Sequence, residues 1–403
     1  IVLGILLFFS AGFISINLFH EPRLVLVLQI LAFALPFYVI NSVLVAAFTG
    51  FQRMDNVSFT KYLSENVLRV VLTFALIALG FGLFGISAAY VLSVFFTMLL
   101  SFYLLEKIFP IFKTKVKSEH SSSRLLSYSF PLLFSSLLWM AVTWTDTLFI
   151  GYFLNVEQVG IYNAVIPTVA LVVVIPTVLL SLFGPIATLL FSQNKLGEVS
   201  KIYKRITKWV FFTTFPVALA MVLFSRQLLV VFFGPEYAAG ALSLSILAIS
   251  YFVYSLLLSS DNILRSFDRP KLVFAITLAT AALNIVLNYL LVPAYGILGG
   301  AISTGVSLVL YSLFSVYAAR RVSGLHPFSI GLYKPLAASL ASVFLGYYLI
   351  RLVYPKTDAI SFILSLVVFL ASYFVLLVAQ KVFDGEDKIV FKRLLNKFGL
   401  RSF

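Results

Sequence analysis

Apolar stretches of about 20 residues, long enough to span a bilayer as helices, recur along the whole sequence between short charged or turn-rich segments. Only 11% of the 403 residues are charged and 61% are hydrophobic, whereas a soluble domain averages about 25% charged residues. A chain this apolar cannot cover a water-soluble core with polar surface, so its main solvent must be lipid. We predict an all-α polytopic membrane protein with twelve spans, at residues 1–18, 24–48, 66–84, 87–105, 127–151, 162–190, 209–225, 241–263, 272–293, 297–319, 335–353 and 360–380.

Lysine and arginine residues are distributed unevenly over the loops between these spans. Most of the 29 lie in alternate loops and in the C-terminal segment, whereas the opposite loops hold only Arg23, Arg226, Arg351 and Lys356. Because cytoplasmic loops carry the excess of Lys and Arg, both termini are predicted to face the cytoplasm. The net charge of +14 therefore reflects topology. A nucleic-acid partner is not expected, because the cations are spread over six loops without a binding module.

A short glycine pattern occurs twice, 214 positions apart. Gly82-Leu83-Phe84-Gly85 and Gly296-Ile297-Leu298-Gly299 each introduce a span, and Ser93 and Ser307 occupy the same place in those spans. Glycine tolerates the positive φ of a tight turn, so such turns can also recur by chance. Two parallel six-span halves would explain the pattern. The first half then has only four spans, so we expect two further spans before Ile1 and regard the sequence as truncated at its N-terminus.

This repeat divides the chain into five predicted segments. A cytoplasmic linker is expected between two pseudo-repeated lobes, and two additional spans are expected after the second lobe. The basic tail combines apolar and cationic residues, which predicts either a helix lying on the anionic cytoplasmic leaflet or a disordered segment. The predicted segments are the truncated N-terminal lobe 1–108, the linker 109–124, the C-terminal lobe 125–321, the additional spans 322–380 and the tail 381–403.

Asp146 is the clearest charged residue inside a predicted span. A charged side chain near the bilayer centre costs about 2.5–3.5 kcal/mol even on permissive scales, so it requires an explanation. The first hypothesis is that Asp146 faces an aqueous cavity and binds a coupling cation or a substrate group. The alternative is that Asp146 pairs structurally with a residue on a neighbouring helix. The sequence alone does not separate these two roles.

Two acid–base pairs have the i,i+4 spacing that favours ion pairing on a helix, Glu65 with Arg69 and Asp261 with Arg265. Both pairs are expected at cytoplasmic span ends, where long side chains can reach water. They are either self-neutralising interfacial pairs or sites where Arg69 or Arg265 meets a phosphate group, because the guanidinium fork suits phosphate oxygens.

Uncharged amides also fall inside the predicted spans. Asn41 and Asn284 are candidate cavity residues, and the alternative for both is an interhelical hydrogen bond.

Several kinds of chemistry are excluded or disfavoured. The absence of cysteine excludes disulfides and thiolate metal sites, and the three histidines, His20, His120 and His326, fall in predicted loops. No HExxH, GxSxG or P-loop pattern occurs, and no extramembrane segment is large enough for a catalytic domain. We therefore expect no catalytic residue, no metal site and no cofactor, and we predict that the chain is not an enzyme.

Several short motifs resemble those of the polysaccharide and lipid-linked oligosaccharide flippases, a family of the multidrug/oligosaccharidyl-lipid/polysaccharide exporter superfamily. The resemblance extends over essentially the whole chain through degenerate motifs. These motifs are Ser127-Tyr128-Ser129-Phe130-Pro131, the run Asp146–Phe153, Val159-Gly160-Ile161-Tyr162-Asn163-Ala164, the run Ile263–Lys271 and Tyr295-Gly296-Ile297-Leu298-Gly299-Gly300-Ala301.

The resemblance implies fourteen spans in two six-helix lobes plus two extra helices, with a V-shaped cavity. It implies alternating access that carries a glycan linked to polyprenyl phosphate or pyrophosphate to the outer leaflet of a prokaryotic plasma membrane. Asp146 matches the acidic residue of the family's span-seven motif, and Arg265 and Arg269 match the basic loop after span ten. Expected partners are the lipid-linked glycan and membrane lipids, and a monomer is expected. The alternatives are a cation-coupled multidrug-type antiporter, a membrane enzyme such as a glycan ligase, and a purely structural membrane protein.

Overall fold

A computed structural model describes residues 2–51, 53–110, 122–328, 333–343, 345 and 359–380. The chain divides into two compact units, Ile1–Leu125 and Leu126–Phe403, each of which is described here by itself. The described residues are almost entirely helical. Most of the predicted linker and the whole of the predicted tail 381–403 lie outside the described residues, so these two predictions stay predictions.

In the described part of the first unit, six complete α-helices and two short π-helical segments precede α7. The π segments Ile14–Leu18 and Ser58–Ser64 continue the helices that precede them. Asn41 is buried on α3, and its Oδ1 accepts a hydrogen bond from Ser101 Oγ of α6 at 2.8 Å. The α-helices are α1 (Val2–Phe13), α2 (Leu24–Ala32), α3 (Ala34–Gly50), α4 (Met54–Val57), α5 (Glu65–Ala78) and α6 (Gly82–Ile108).

The second unit contains the longer helices of the chain and its largest buried apolar clusters. A 3₁₀ segment, Pro235–Gly240, leads into α11. The helices are α7 (Ser122–Phe153), which begins just before the unit boundary, α8 (Val156–Ser192), α9 (Leu196–Leu223), α10 (Ser225–Phe233), α11 (Ala241–Leu257), α12 (Ser259–Ser266), α13 (Pro270–Tyr295), α14 (Ile297–Ser323), α15 (Tyr333–Val343) and α16 (Ala359–Ala379).

Helices long and apolar enough to cross a bilayer dominate both units. Among the described residues there are eight such stretches, and Val2–Leu18 is a shorter apolar helix. Many large apolar side chains on these helices are exposed, as expected where lipid is the solvent. The fold class predicted from the sequence, a polytopic all-α membrane protein, is confirmed.

The third predicted span, 66–84, is wrong in its boundaries. The helical path begins at Met54 and runs through the π segment Ser58–Ser64 to Ala78, and the turn lies at residues 79–81. The charged residues near its start marked this stretch as a loop, but a helix can continue through the polar boundary of a membrane without breaking. Arg69 therefore lies about 20 Å along this helix from Met54.

The glycine repeat corresponds to matching structure inside the two units. Gly82 and Gly296 both have positive φ, of 50° and 61°, immediately before or at the start of a 27-residue helix. Every buried residue of α6 has a buried counterpart 214 positions later in α14. The buried residues Gly85, Ser87, Ala89, Ser93, Val94, Thr97, Ser101 and Leu105 match Gly299, Ala301, Ser303, Ser307, Leu308, Tyr311, Ser315 and Ala319.

The turns before α4 and α13 also match, but at an offset of 216 residues. In the first unit the backbone N–H groups of Phe51, Arg53 and Val57 donate to Ala47, Phe48 and Arg53 at 2.9, 2.9 and 3.3 Å. In the second unit the N–H groups 216 positions later make the same three bonds, at 3.0, 3.0 and 3.4 Å. They run from Phe267, Arg269 and Val273 to the carbonyl groups of Ile263, Leu264 and Arg269. The first unit thus has two more residues between the matched turns. The π segment Ser58–Ser64 lies in that interval, and each i→i+5 turn holds one residue more than an α turn.

Candidate functional site

Asp146 lies on α7 inside the second unit and is 1% exposed. Its Oδ2 accepts hydrogen bonds from Tyr162 Oη of α8 at 2.5 Å and from Thr304 Oγ1 of α14 at 3.2 Å, and its Oδ1 accepts one from the backbone N–H of Thr147 at 2.9 Å. None of the ion pairs between described residues involves Asp146. The carboxylate is therefore held by neutral donors from two neighbouring helices.

Two asparagines of α13 extend this cluster. Asn284 donates from Nδ2 to Thr304 Oγ1 at 3.2 Å, and Asn288 donates from Nδ2 to Asn284 Oδ1 at 3.2 Å. The bonds therefore run in one direction, from Asn288 through Asn284 and Thr304 to Asp146. Such a chain polarises its members and strengthens the acceptor role of the last group. At its far end, Asn288 Oδ1 is buried and has no hydrogen-bond partner among the described residues.

Gly300 permits the close approach of α14 to α7 at this cluster. A Cβ atom at Gly300 would lie 3.1 Å from Ile150 Cδ1 and 3.5 Å from Asp146 Cβ, within tight or ordinary contact distance. The lack of a side chain therefore lets α14 carry Thr304 to within hydrogen-bond distance of Asp146. We call Asp146, Tyr162, Thr304, Asn284 and Asn288 the Asp146 cluster.

A second polar cluster lies at α12. Arg265 Nη2 is 3.2 Å from Asp261 Oδ2, and Tyr311 Oη of α14 donates to Asp261 Oδ1 at 2.8 Å. The Asp261 side chain is 12% exposed, whereas the Arg265 side chain is 60% exposed. The acid is thus fixed on two sides and orients a guanidinium group that remains open to its surroundings.

Aromatic side chains lie next to Asp261 on the side toward α7. The rings of Trp139 and Tyr254 are stacked, with centroids 6.2 Å apart and an interplanar angle of 30°. Trp139 also makes an edge contact with Tyr311 at 6.5 Å, and Tyr251 makes one with Tyr254 at 6.4 Å. Tyr254 and Tyr311 are buried, and Trp139 is 42% exposed.

The charged pair of the first unit, Glu65 and Arg69, also packs against an aromatic ring. Arg69 Nη2 lies 2.6 Å from Glu65 Oε1, and its guanidinium lies over the Tyr90 ring at 4.7 Å from the centroid. Glu65 is 8% exposed, and Arg69 Nε is buried without a hydrogen-bond partner in the described part of the chain. Glu65 and Arg69 thus form the predicted i,i+4 ion pair, and its expected position at a cytoplasmic span end stays a prediction.

The structure groups the predicted site residues in pairs. Asp146 and Asn284 belong to one cluster, Asp261 and Arg265 belong to another, and Arg69 and Asn41 make separate contacts in the first unit. Sequence reasoning missed Tyr162, Thr304 and Tyr311, since hydroxyl groups are frequent in membrane helices and carry no signal of their own. Trp139 did carry a signal, because it lies at the centre of a predicted span whereas tryptophan is enriched at membrane interfaces.

The oxygen atoms of the Asp146 cluster define which ions could bind there. No group of three or more His, Cys, Asp or Glu side chains that could hold a metal ion is found within the described ranges. The cluster combines one carboxylate with the hydroxyl groups of Tyr162 and Thr304 and the more distant asparagine amides. This is a hard, singly charged donor set, which suits an alkali cation or a proton better than a transition metal.

Two family models match the chain. The model described as "Polysaccharide biosynthesis protein" matches residues 1–190, and the model MatE matches residues 131–290. Among curated proteins, an uncharacterized membrane protein of Methanocaldococcus jannaschii is 26% identical over 310 residues, which are 73% of this chain and 60% of that protein. "Probable flippase AglR" of Haloferax volcanii is 30% identical over 183 residues, which are 44% of this chain and 38% of that protein. The chain thus spans less than two thirds of the length of either relative.

A solved structure has the same fold. The chain named "Lipid II flippase MurJ, inward closed conformation" superposes with a TM-score of 0.77 over 94% of this chain and 80% of that one, at 15% sequence identity. The family models, the relatives and the shared fold agree with the motifs around Asp146 and Arg265. The chain is therefore similar to the polysaccharide and lipid-linked oligosaccharide flippases of the multidrug/oligosaccharidyl-lipid/polysaccharide exporter superfamily.

Proposed function

We propose that the chain moves a glycan linked to polyprenyl phosphate or pyrophosphate from the inner to the outer leaflet of a prokaryotic plasma membrane by alternating access. Both termini lie in the cytoplasm in this proposal, as the distribution of Lys and Arg predicts. The family, and relatives whose names include "flippase", support this function. We further propose that the protein acts as a monomeric transporter, without a catalytic step.

The observation that carries the proposal is the pair of polar clusters buried in the second unit. A helix that only spans a membrane gains nothing from a carboxylate such as Asp146, whose burial costs about 2.5–3.5 kcal/mol even on permissive scales. Intramembrane ionisable groups that face a helix-bundle interior are typical of substrate and ion pathways. Asp146 and Asp261 both lie on inward-facing helix surfaces and are bonded to α14, through Thr304 and Tyr311.

Arg265 is the proposed contact for the phosphate group of the substrate. Its side chain is 60% exposed, and Asp261 holds it in one orientation while Tyr311 holds Asp261. A guanidinium group that is fixed but open can offer its remaining N–H groups to phosphate oxygens in a bidentate arrangement. The lipid tail of the substrate would remain in the membrane.

Asp146 is the proposed site of a coupling cation, Na⁺ or H⁺. The charge is buried without a cationic partner among the described residues, and its side-chain contacts are the hydroxyl groups of Tyr162 and Thr304. Asn288 Oδ1 is a further buried acceptor within the same cluster. A bound cation would neutralise the carboxylate.

A cation-coupled multidrug-type antiporter is the second candidate function. The MatE model covers Asp146, and a cation site alone serves an antiporter as well as a flippase. The exposed Arg265 favours the flippase, because an anionic head group needs a cationic contact and a cationic drug does not.

The test is a translocation assay with the purified protein in liposomes. A polyprenyl-diphosphate-linked N-acetylglucosamine serves as the probe, and galactosyltransferase added outside labels only sugars in the outer leaflet. We expect Arg265→Glu to lower the initial rate about tenfold or more, equivalent to at least about 1.4 kcal/mol, because charge reversal repels the diphosphate. Arg226→Glu, a matched reversal at an exposed arginine of α10, should change the rate less than about twofold.

Two results would count against the proposal. Wild-type liposomes that label no faster than protein-free liposomes would remove the flippase function. Equal effects of the two reversals would remove Arg265 as the phosphate contact.

A further inference from the structure

Trp139 lies at the midpoint of the predicted span 127–151, a depth where tryptophan is unusual. Its indole ring combines an apolar body with a polar N–H group, so tryptophan is enriched at membrane–water interfaces. Its position on α7 is the inward-facing one, since it shares a helical face with the buried residues Val142, Asp146 and Ile150. Trp139 is nevertheless 42% exposed. Trp139 is therefore partly exposed on a face of α7 whose other named residues are buried.

The neighbouring tyrosines fix the orientation of this ring. One face of Trp139 stacks on Tyr254, which is 9% exposed, and its edge contacts Tyr311, which is 5% exposed. Tyr311 is itself held by the hydrogen bond from its Oη to Asp261. One face of the Trp139 ring is thus held against a buried tyrosine, while much of the side chain remains exposed. The ring therefore presents a flat apolar surface, the platform, in a fixed position.

The platform is next to the proposed phosphate contact. Tyr311 touches Trp139 with its ring and Asp261 with its hydroxyl group, and Asp261 orients Arg265. In a lipid-linked glycan, the first sugar is bonded directly to the phosphate group. A phosphate held at Arg265 would therefore bring that sugar close to the aromatic residues. The C–H groups on one face of a pyranose ring carry partial positive charge, which matches the negative face of an aromatic ring.

We propose that Trp139 is a substrate-binding residue that stacks on the pyranose ring adjacent to the phosphate, with Tyr254 and Tyr311 as its positioning residues. This inference rests on the proposed flippase function. It assigns the recognition of the sugar to α7 and separates it from recognition of the phosphate by Arg265. The ligand class is a hexopyranose, and stacking selects for an apolar sugar face more than for a particular pattern of hydroxyl groups.

The test compares two probes on the same protein in lipid nanodiscs. One probe is a short-chain polyprenyl diphosphate, and the other carries one N-acetylglucosamine on that diphosphate. We expect wild-type protein to bind the sugar-bearing probe about tenfold more tightly, as expected for one aromatic–sugar stack. In Trp139→Leu this preference should fall to about twofold or less, while the affinity for the sugar-free probe stays within about twofold of wild type. Trp139→Tyr should keep part of the preference, since it retains an aromatic face.

Each outcome has a separate meaning. Wild-type protein that binds both probes equally, or Trp139→Leu that keeps the full preference, would overturn the role of Trp139 and leave the phosphate contact standing. Wild-type protein that binds neither probe would overturn the proposed function itself. A Trp139→Leu protein that loses affinity for both probes equally would also overturn the sugar role, because it would indicate a structural role. Melting temperature in detergent is measured in parallel for each variant.

Discussion

Replacing Asp146 by asparagine should separate a cation-binding role of this residue from a structural one. The side chain keeps its shape and its Oδ1, and the amide nitrogen takes the place of Oδ2, which accepts from both Tyr162 and Thr304. Both of those groups are hydroxyls, which can rotate and accept a hydrogen bond from the new N–H. Asp146→Asn therefore changes the charge of the cluster more than its geometry.

The expected magnitudes follow from these contacts. Hydrogen bonds to a charged group are worth about 1.5–3 kcal/mol each and neutral ones about 0.5–1.5 kcal/mol, so weakening two bonds costs about 2–3 kcal/mol. Removing the buried charge stabilises the protein by about 2.5–3.5 kcal/mol. The two terms nearly cancel, and stability should change by less than about 2 kcal/mol. Cation-coupled translocation should fall more than about tenfold, because a neutral amide cannot balance a cation.

The assay measures Tm in detergent and the rate of translocation in liposomes, with imposed Na⁺ and pH gradients of either direction. Tyr162→Phe is the matched control, because it removes one hydrogen bond to the carboxylate and keeps the charge. It should destabilise the protein by about 1–3 kcal/mol and retain the response to the gradient. The reasoning is refuted if Asp146→Asn keeps a gradient-dependent rate close to that of wild type. Asp146 would then have only a structural role.

Two predictions concern the packing of the second unit. Gly300→Leu should lower stability by about 1–3 kcal/mol, because the larger side chain must displace Ile150. The Tm of this variant should therefore be lower than that of Gly300→Ala. Equal Tm values would contradict the close approach of α14 to α7. Tyr373 Oη donates to the Phe212 carbonyl at 2.6 Å. In a regular helix the backbone N–H of residue 216 would donate to this carbonyl, but Pro216 has no N–H group. Tyr373→Phe should therefore cost about 1–3 kcal/mol in the wild type and less in a Pro216→Ala background, whereas additive Tm changes in the double variant would argue against this bond.

The helices of this protein could be predicted from the sequence because bilayer thickness and backbone hydrogen bonding leave few alternatives for long apolar stretches. The start of the helix at Met54 could not, since Lys61 and its polar neighbours resemble a loop when only composition is considered. The matched glycines Gly82 and Gly296 were visible because a positive φ restricts the choice of residue at a turn.

The candidate site was only partly predictable. Asp146 was visible because a charge inside a span is rare, but its partner Thr304 lies 158 positions away, and helix packing alone brings the two together. The partner of Asp261, Tyr311, was missed for the same reason. The start of the helix that carries Arg69 was misjudged, because helix boundaries are the least certain feature of a sequence-based prediction.

The π segment Ser58–Ser64 bears on how the two halves diverged. Two residues added to an ordinary α-helix would rotate everything beyond them by about 200° and shift it by about 3 Å, turning buried faces outward. The buried positions of α6 still match those of α14, although the stretch before α6 is two residues longer. Wider backbone turns, together with the longer turn at residues 79–81, can absorb such an excess locally. The match between the two halves is therefore closer in their hydrogen-bonding frames than in the identity of their residues.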